Sequence, residues 1–228
     1  MKKWIIKSLE SISYMLVLIA LFLDIFTNIS MGGMAKIVFY GIPMLLLFGI
    51  MLYEIKIEKN VEEKETIKKK RLWTIFCIYL LALITLLFMQ SAFRYTGTWQ
   101  DKLPLFSKEN LQNNVNLIPF RTIATYIERL QEHSINLSIV LTNLLGNLVA
   151  FAPFGFFATF LMKDKIRNIG IFVLWMIGIV LIVEMLQFFL KLGSADIDDL
   201  ILNVLGATIV YGVMQIKSIK KGIGRILN

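Results

Sequence analysis

Six apolar stretches, each long enough to cross a bilayer, constrain the fold of this chain more than any other feature. A transmembrane helix needs about 20 largely apolar residues to cross a hydrocarbon core of roughly 30 Å. Of the 228 residues, 57% are hydrophobic and 18% are charged, a composition that suits a bilayer better than water. The sequence therefore predicts an all-α fold, a polytopic integral membrane helix bundle. The predicted spans are 11–29, 37–54, 72–93, 138–162, 169–190 and 197–216.

The basic residues predict how these spans are oriented. The net charge is +8, and with a cytoplasmic N-terminus 17 of the 24 Lys and Arg residues fall in cytoplasmic segments. This is the bias of the positive-inside rule, so the charge reports topology and argues against a nucleic-acid partner. We expect a multi-pass protein of the cell membrane with both termini in the cytoplasm and the lipid bilayer as its main partner.

A charged run over 56–71 is the sharpest change of composition in the chain. It is typical of a solvated cytoplasmic linker. The sequence thus divides into an N-terminal pair of transmembrane helices (1–55), this linker, a four-helix membrane domain (72–216) and a basic cytoplasmic tail (217–228).

The long outer loop between predicted helices 3 and 4 carries a helical pattern of its own. Ile123, Tyr126, Ile127 and Leu130 recur at i, i+3, i+4 and i+7, which predicts an amphipathic helix with Pro119 in its first turn. The helix either lies on the outer membrane face or simply caps the bundle. His133 follows it without a second His or Cys nearby, so no metal site and no cofactor are expected.

Polar residues on the last three spans form short stripes. Asn143 and Asn147 are four residues apart, Glu184 and Gln187 three apart, and Asp199 and Asn203 four apart. The topology places the three stripes at one depth in the outer half of the membrane. Because polar side chains in a bilayer usually face the protein interior or a wet cavity, they predict a polar pocket that opens outward. Asp196 and Asp198 can serve this pocket or only cap the last helix.

Glu184 has apolar neighbours and would be costly to ionise without a cation. Arg94 and Arg121 are the outer cations that could pair with it. The residue is then either a structural partner or a group that handles substrate or protons. Asp24, in the first span, looks isolated and is predicted to lie at the interface.

Four ordered motifs resemble one family. They are N-L-I-P-F-R-T-I (116–123), N-L-L-G-N-L-V-A-F-A-P-F-G-F-F (143–157), E-M-L-Q (184–187) and D-I-D-D-L-I-L-N-V-L-G-A (196–207). Over roughly 73–216 the chain resembles VanZ-like membrane proteins, named for a teicoplanin-resistance accessory protein of Gram-positive bacteria. The resemblance implies a cell-envelope protein with a link to glycopeptide antibiotics and no established reaction.

The family's signature positions carry over to residues of this chain, and most coincide with the polar stripes. Gly193 and Ser194 stand where a basic residue is expected before the aspartates in many relatives, which leaves an Arg–Asp pair there unsupported. The signature positions are Asn116, Pro119, Phe120, Asn143, Asn147, Pro153, Gly155, Glu184, Gln187, Asp196, Asp199, Asn203 and Gly206.

The sequence is compatible with three kinds of function. A non-enzymatic protein would bind a cell-wall precursor, lipid head group or glycopeptide in the pocket. A membrane enzyme acting on a lipid-linked substrate would use Glu184 and Asp199 as acid, base or metal ligands, although no recognised catalytic motif is present. A transporter is disfavoured because the inner halves of the helices are nearly all apolar. The predicted binding residues are Asn116, Arg121, Asn143, Asn147, Glu184, Gln187, Asp196, Asp199 and Asn203.

Overall fold

The chain folds as an all-α membrane protein. The computed structural model describes residues 3–26, 33–89, 106–108, 111 and 114–227. Six helices in these ranges are long and apolar enough to cross a membrane, so the predicted polytopic bundle is confirmed. The spans are Lys3–Ile25, Val38–Ile57, Val61–Phe88, Leu137–Leu161, Ile169–Phe189 and Ile197–Gln215.

The chain divides into two compact units. Met1–Tyr95 and Lys217–Asn228 form the first, and Thr96–Ile216 forms the second. The third span falls in the first unit, whereas the sequence grouped it with the last three spans. The helices of the first unit are α1 (Lys3–Phe26), α2 (Gly33–Lys36), α3 (Ile42–Ile57), α4 (Val61–Ile84) and the C-terminal α10 (Lys217–Leu227), with π-helical turns at Ile37–Gly41 and Thr85–Met89.

Much of the charged run after α3 is helical. The Asn60 side chain caps α4 by accepting from the backbone N–H of Glu62 at 2.9 Å. Glu62 and Glu63 lie in the first turn, where negative charge interacts favourably with the helix dipole. The helix then continues without a break into the membrane span, so only residues 58–60 separate α3 from α4.

Two sets of paired charges, one half-buried and one buried, join helices of the first unit. Arg71 of α4 pairs with Glu54 of α3 at 2.7 Å and with Glu10 of α1. The prediction that Asp24 is isolated was wrong, because Asp24 is 2% exposed and pairs with Lys36 at 3.3 Å. Lys36 follows a break in the apolar pattern and reaches back to α1, a contact that helical periodicity within one span cannot reveal.

The second unit contains the remaining helices and a two-residue parallel strand pair. Val115 pairs with Ala195 and Asn116 with Asp196, which ties the segment before α5 to the segment before α9. The elements are β1 (Val115–Asn116), α5 (Arg121–Gln131), α6 (Leu137–Ala150), α7 (Ala152–Leu161), α8 (Ile169–Phe189), β2 (Ala195–Asp196) and α9 (Ile197–Gln215).

The helix predicted over 138–162 is divided into α6 and α7 at Phe151. Pro153 lies in the first turn of α7, where its missing N–H leaves no intrahelical bond unmade, but its ring cannot continue a preceding helix. Phe151 is 1% exposed and anchors the break in the core. Both pieces pack against α9.

Close helix contacts in this unit depend on two glycines. A Cβ at Gly155 would overlap the backbone of Tyr211, and a Cβ at Gly206 would overlap the carbonyl group of Leu148. Missing side chains let helix backbones approach closely in membrane proteins. The α8–α9 contact is instead aromatic, with Phe172 stacked on Tyr211 at a ring separation of 4.3 Å.

The amphipathic helix predicted in the long loop is confirmed as α5. It begins at Arg121, so Pro119 precedes it and does not occupy its first turn. Phe120 adopts a left-handed conformation with φ 66°, which is uncommon for a bulky residue. Helix α5 packs on α6 and α9.

Candidate functional site

Asp196 is the centre of a hydrogen-bond network that joins the loop to the last helix. Its Oδ1 accepts from the Asn116 amide at 2.9 Å, and its Oδ2 accepts from the Thr122 hydroxyl. Oδ1 also accepts from the backbone N–H of Asp198 at 2.9 Å, so Asp196 is the N-cap of α9. The residue is 9% exposed, and its burial is compensated by these bonds.

Asp198 caps a different helix from its own. Its carboxylate accepts from the backbone N–H groups of Phe120, Thr122 at 2.8 Å and Ile123 at 3.2 Å. These are donors at the start of α5 that have no intrahelical partner. Asp198 is 1% exposed. It therefore fixes the N-terminus of α5 to the N-terminus of α9 and holds Phe120 in its left-handed conformation.

Asp199 and Glu184 carry the network deeper into the helices. Asp199 accepts a hydrogen bond from the Asn147 amide of α6. Glu184 of α8 is 7% exposed and accepts from the backbone N–H of Asp196 at 3.4 Å. Residues of α5, α6 and α8 thus converge on the start of α9.

Other predicted site residues are placed differently. Asn143 is exposed, and its amide donates to the carbonyl of Ile139 one turn earlier at 2.8 Å. Asn203 is buried, with an Oδ1 that has no hydrogen-bond partner in the described part of the chain. Gln187 is half-buried near Gly193. No ion pair joins Glu184 to Arg121 within the described ranges, and Arg94 lies outside them.

An open cavity of about 280 Å³ lies between α5 and the strand pair. Three of the predicted binding residues, Asn116, Arg121 and Asp196, line it. Burial, with help from the charges of Asp199 and Asp196, raises the pKa of the Tyr126 phenol above its usual value, so this tyrosine is a neutral hydrogen-bonding group at neutral pH. The full lining is Asn114, Val115, Asn116, Arg121, Thr122, Thr125, Tyr126, Arg129, Ser194 and Asp196.

The network joins the positions that carry the family resemblance, and a comparison with family models decides the assignment. The model described as VanZ/LLP1 matches residues 76–218, which is more than half of the chain. The chain belongs to the VanZ/LLP1 family. The match begins within α4, so α1 to α3 precede the VanZ/LLP1 region. No curated protein and no solved structure shows significant similarity to the chain.

The structure adds residues that the sequence did not single out as site residues of this VanZ/LLP1 protein. Thr122 bonds to Asp196, and Thr125, Arg129, Asn114 and Ser194 line the cavity. The sequence does contain a pattern that could have identified Thr125 and Arg129 as cavity residues. They follow Arg121 at i+4 and i+8 and so share its helix face. The described His, Cys, Asp and Glu residues do not converge in a metal-binding arrangement.

Proposed function

We propose that this VanZ/LLP1 protein is a cell-envelope protein that binds the polar head group of a lipid or lipid-linked cell-wall precursor, and that through this binding it contributes to low-level glycopeptide resistance. The cavity between α5 and the strand pair carries the proposal. It is open, it is lined by hydrogen-bonding side chains, and it lies where α8 ends and α9 begins. Head groups occupy this level of a bilayer.

The charge distribution supports an outward orientation of this cavity. The N-terminal residues 1–7, the charged run 56–71, the turn between α7 and α8, and the chain after α9 contain 17 of the 24 basic residues. The positive-inside rule puts these segments in the cytoplasm. The C-terminal end of α8 and the N-terminal end of α9 then face the exterior, where cell-wall precursors and glycopeptides are encountered.

The hydrogen bonds that Asp196 and Asp198 accept favour a binding function over a catalytic one. Asp196 and Asp198 are saturated by bonds that hold α5 and α9 together. A carboxylate in this situation positions a scaffold and is poorly placed to exchange protons with a substrate. The wall of the cavity is consequently a preformed surface.

A cysteine at position 194 tests orientation and occupancy together. In a Cys77→Ala background, we expect Ser194→Cys to be labelled by a membrane-impermeant maleimide in intact cells, because Ser194 is exposed and lines the cavity. An added short-chain lipid should slow this labelling. Glu132→Cys is the matched control, exposed at the C-cap of α5 and outside the cavity lining, and its labelling should not respond to lipid. Labelling of both cysteines only after the cells are opened would refute the orientation, and equal protection of both would refute the binding site.

A membrane enzyme that uses Glu184 and Asp199 is the second candidate, because both residues bond to groups around the first turn of α9 and the bond from the Asp196 N–H to Glu184 is long, at 3.4 Å. Glu184→Gln separates the two functions. We expect Glu184→Gln to retain the wild-type effect on teicoplanin susceptibility and lipid-precursor pools, since an amide still accepts from the backbone of Asp196. Glu184→Ala removes this acceptor and should lose the effect. Loss with Glu184→Gln, in protein that is present and folded, would favour acid–base chemistry.

A further inference from the structure

Helix α5 presents a stripe of polar residues to the cavity. Arg121, Thr125 and Arg129 follow one another at four-residue intervals and all three line it, as neighbours on one helix face do. Both arginines are exposed. The two arginines are about two helical turns apart and lie on either side of Thr125. Each therefore brings a guanidinium to the same cavity.

Neither guanidinium has an anionic partner among the described residues. Asp196 lines the same cavity, but its carboxylate oxygens already accept from Asn116, Thr122 and the backbone of Asp198. Two positive charges against one negative charge give the described lining a net charge of +1. The backbone N–H groups at the start of α5 that lack an intrahelical partner donate to Asp198. An anion in the cavity therefore has to be held by side chains.

We infer that the two arginines recognise the phosphate of a lipid head group. This inference rests on the proposed head-group function and adds the chemical class of the ligand. Arginine binds phosphate through paired charge-assisted hydrogen bonds, and Thr125 and Asn114 add neutral groups nearby. The cavity lies at the ends of α8 and α9, the level at which lipid phosphates are concentrated.

The size of the cavity agrees with such a ligand. A volume of about 280 Å³ equals that of about nine liquid water molecules. A phosphate with a small substituent fits this space, while its acyl chains extend along the membrane-facing surface. Tyr126, which also lines the cavity, can supply a neutral hydroxyl for polar groups of the head group.

Calorimetric titration of the purified full-length protein, in a phosphate-free non-ionic detergent, tests the inference. The probes are dihexanoyl phosphatidic acid, dihexanoylglycerol as the lipid without phosphate, and inorganic phosphate as the anion without lipid. We expect the phosphatidic acid to bind most tightly, with a loss of about tenfold in affinity for each of Arg121→Gln and Arg129→Gln. Raised salt should weaken this binding. Arg167→Gln is the control, since Arg167 is an exposed arginine outside the cavity lining, and it should bind like the wild type.

Neither cavity arginine forms an ion pair in the described structure, so the single and double variants are expected to keep the wild-type melting temperature. Equal binding of phosphatidic acid and dihexanoylglycerol, unchanged in the double variant, would overturn the phosphate assignment and leave head-group binding standing. Inorganic phosphate that binds as tightly as the phosphatidic acid and depends on both arginines would support the assignment but make free phosphate the ligand, against the proposed lipid function. Absence of binding by all three probes would overturn both.

Discussion

Asp198→Asn is expected to detach α5 from the end of the helix bundle and to lower the free energy of unfolding by about 3–5 kcal/mol. The substitution keeps the size of the side chain but replaces one accepting oxygen with an NH₂ group. The carboxylate serves three backbone N–H groups through both of its oxygens. Some of these part-buried N–H groups would then face a donor, beside an Asp198 side chain that is itself buried, and a donor shielded from water without an acceptor is costly.

Hydrogen exchange provides the local measurement of this effect. Amides in Arg121–Gln131 should exchange faster in Asp198→Asn, while those in α8 should change little. Asp164→Asn is the control, because Asp164 is exposed in the turn between α7 and α8 and its replacement should leave both the unfolding free energy and the exchange of α5 unchanged. Unaltered protection of α5 in Asp198→Asn would mean that other contacts hold the helix.

Gly206→Ala is the second large effect we expect, at about 2–4 kcal/mol of lost stability. The added Cβ would lie 2.7 Å from the carbonyl carbon of Leu148 and closer still to its oxygen. Both obstacles are backbone atoms, so α6 and α9 have to move apart. That separation also weakens the bond from Asn147 to Asp199, because Asn147 adjoins Leu148.

Gly212→Ala distinguishes this packing effect from a general response of α9 to alanine. A Cβ at Gly212 meets nothing within 4 Å, and alanine has a higher helix propensity than glycine. Reversible unfolding in mixed micelles should show Gly212→Ala at or above wild-type stability and Gly206→Ala clearly below it. A similar loss for both variants would contradict the steric explanation.

Helices and their approximate limits could be predicted because each depends on a property of neighbouring residues. The spans follow from runs of apolar side chains, and α5 follows from the 3.6-residue period of Ile123, Ile127 and Leu130. The break at Phe151 also had a local signal in Pro153, which the length of the apolar run concealed. Local patterns therefore accounted for most of the fold.

Partners in the candidate site were harder to predict because they are distant in sequence. The pairs of Asp198 with Thr122 and of Asp24 with Lys36 depend on how separate elements meet, which periodicity does not encode. Asn143 and Asn147 share a helix face, but they differ by a full turn along the axis, and only Asn147 reaches Asp199. The three predicted stripes lie on α6, α8 and α9, and their spacing alone does not determine which of their side chains touch.

The pairing of β1 with β2 also sets the order in which the site can assemble. Asn116 contacts Asp196 across 80 positions of the chain, and closing so long a loop is entropically costly until the intervening helices are in place. During synthesis, the segment containing α5 emerges long before its acceptors on α9. The cavity is therefore completed only when the last span has inserted, which makes that insertion the step that commits the second unit to its folded form.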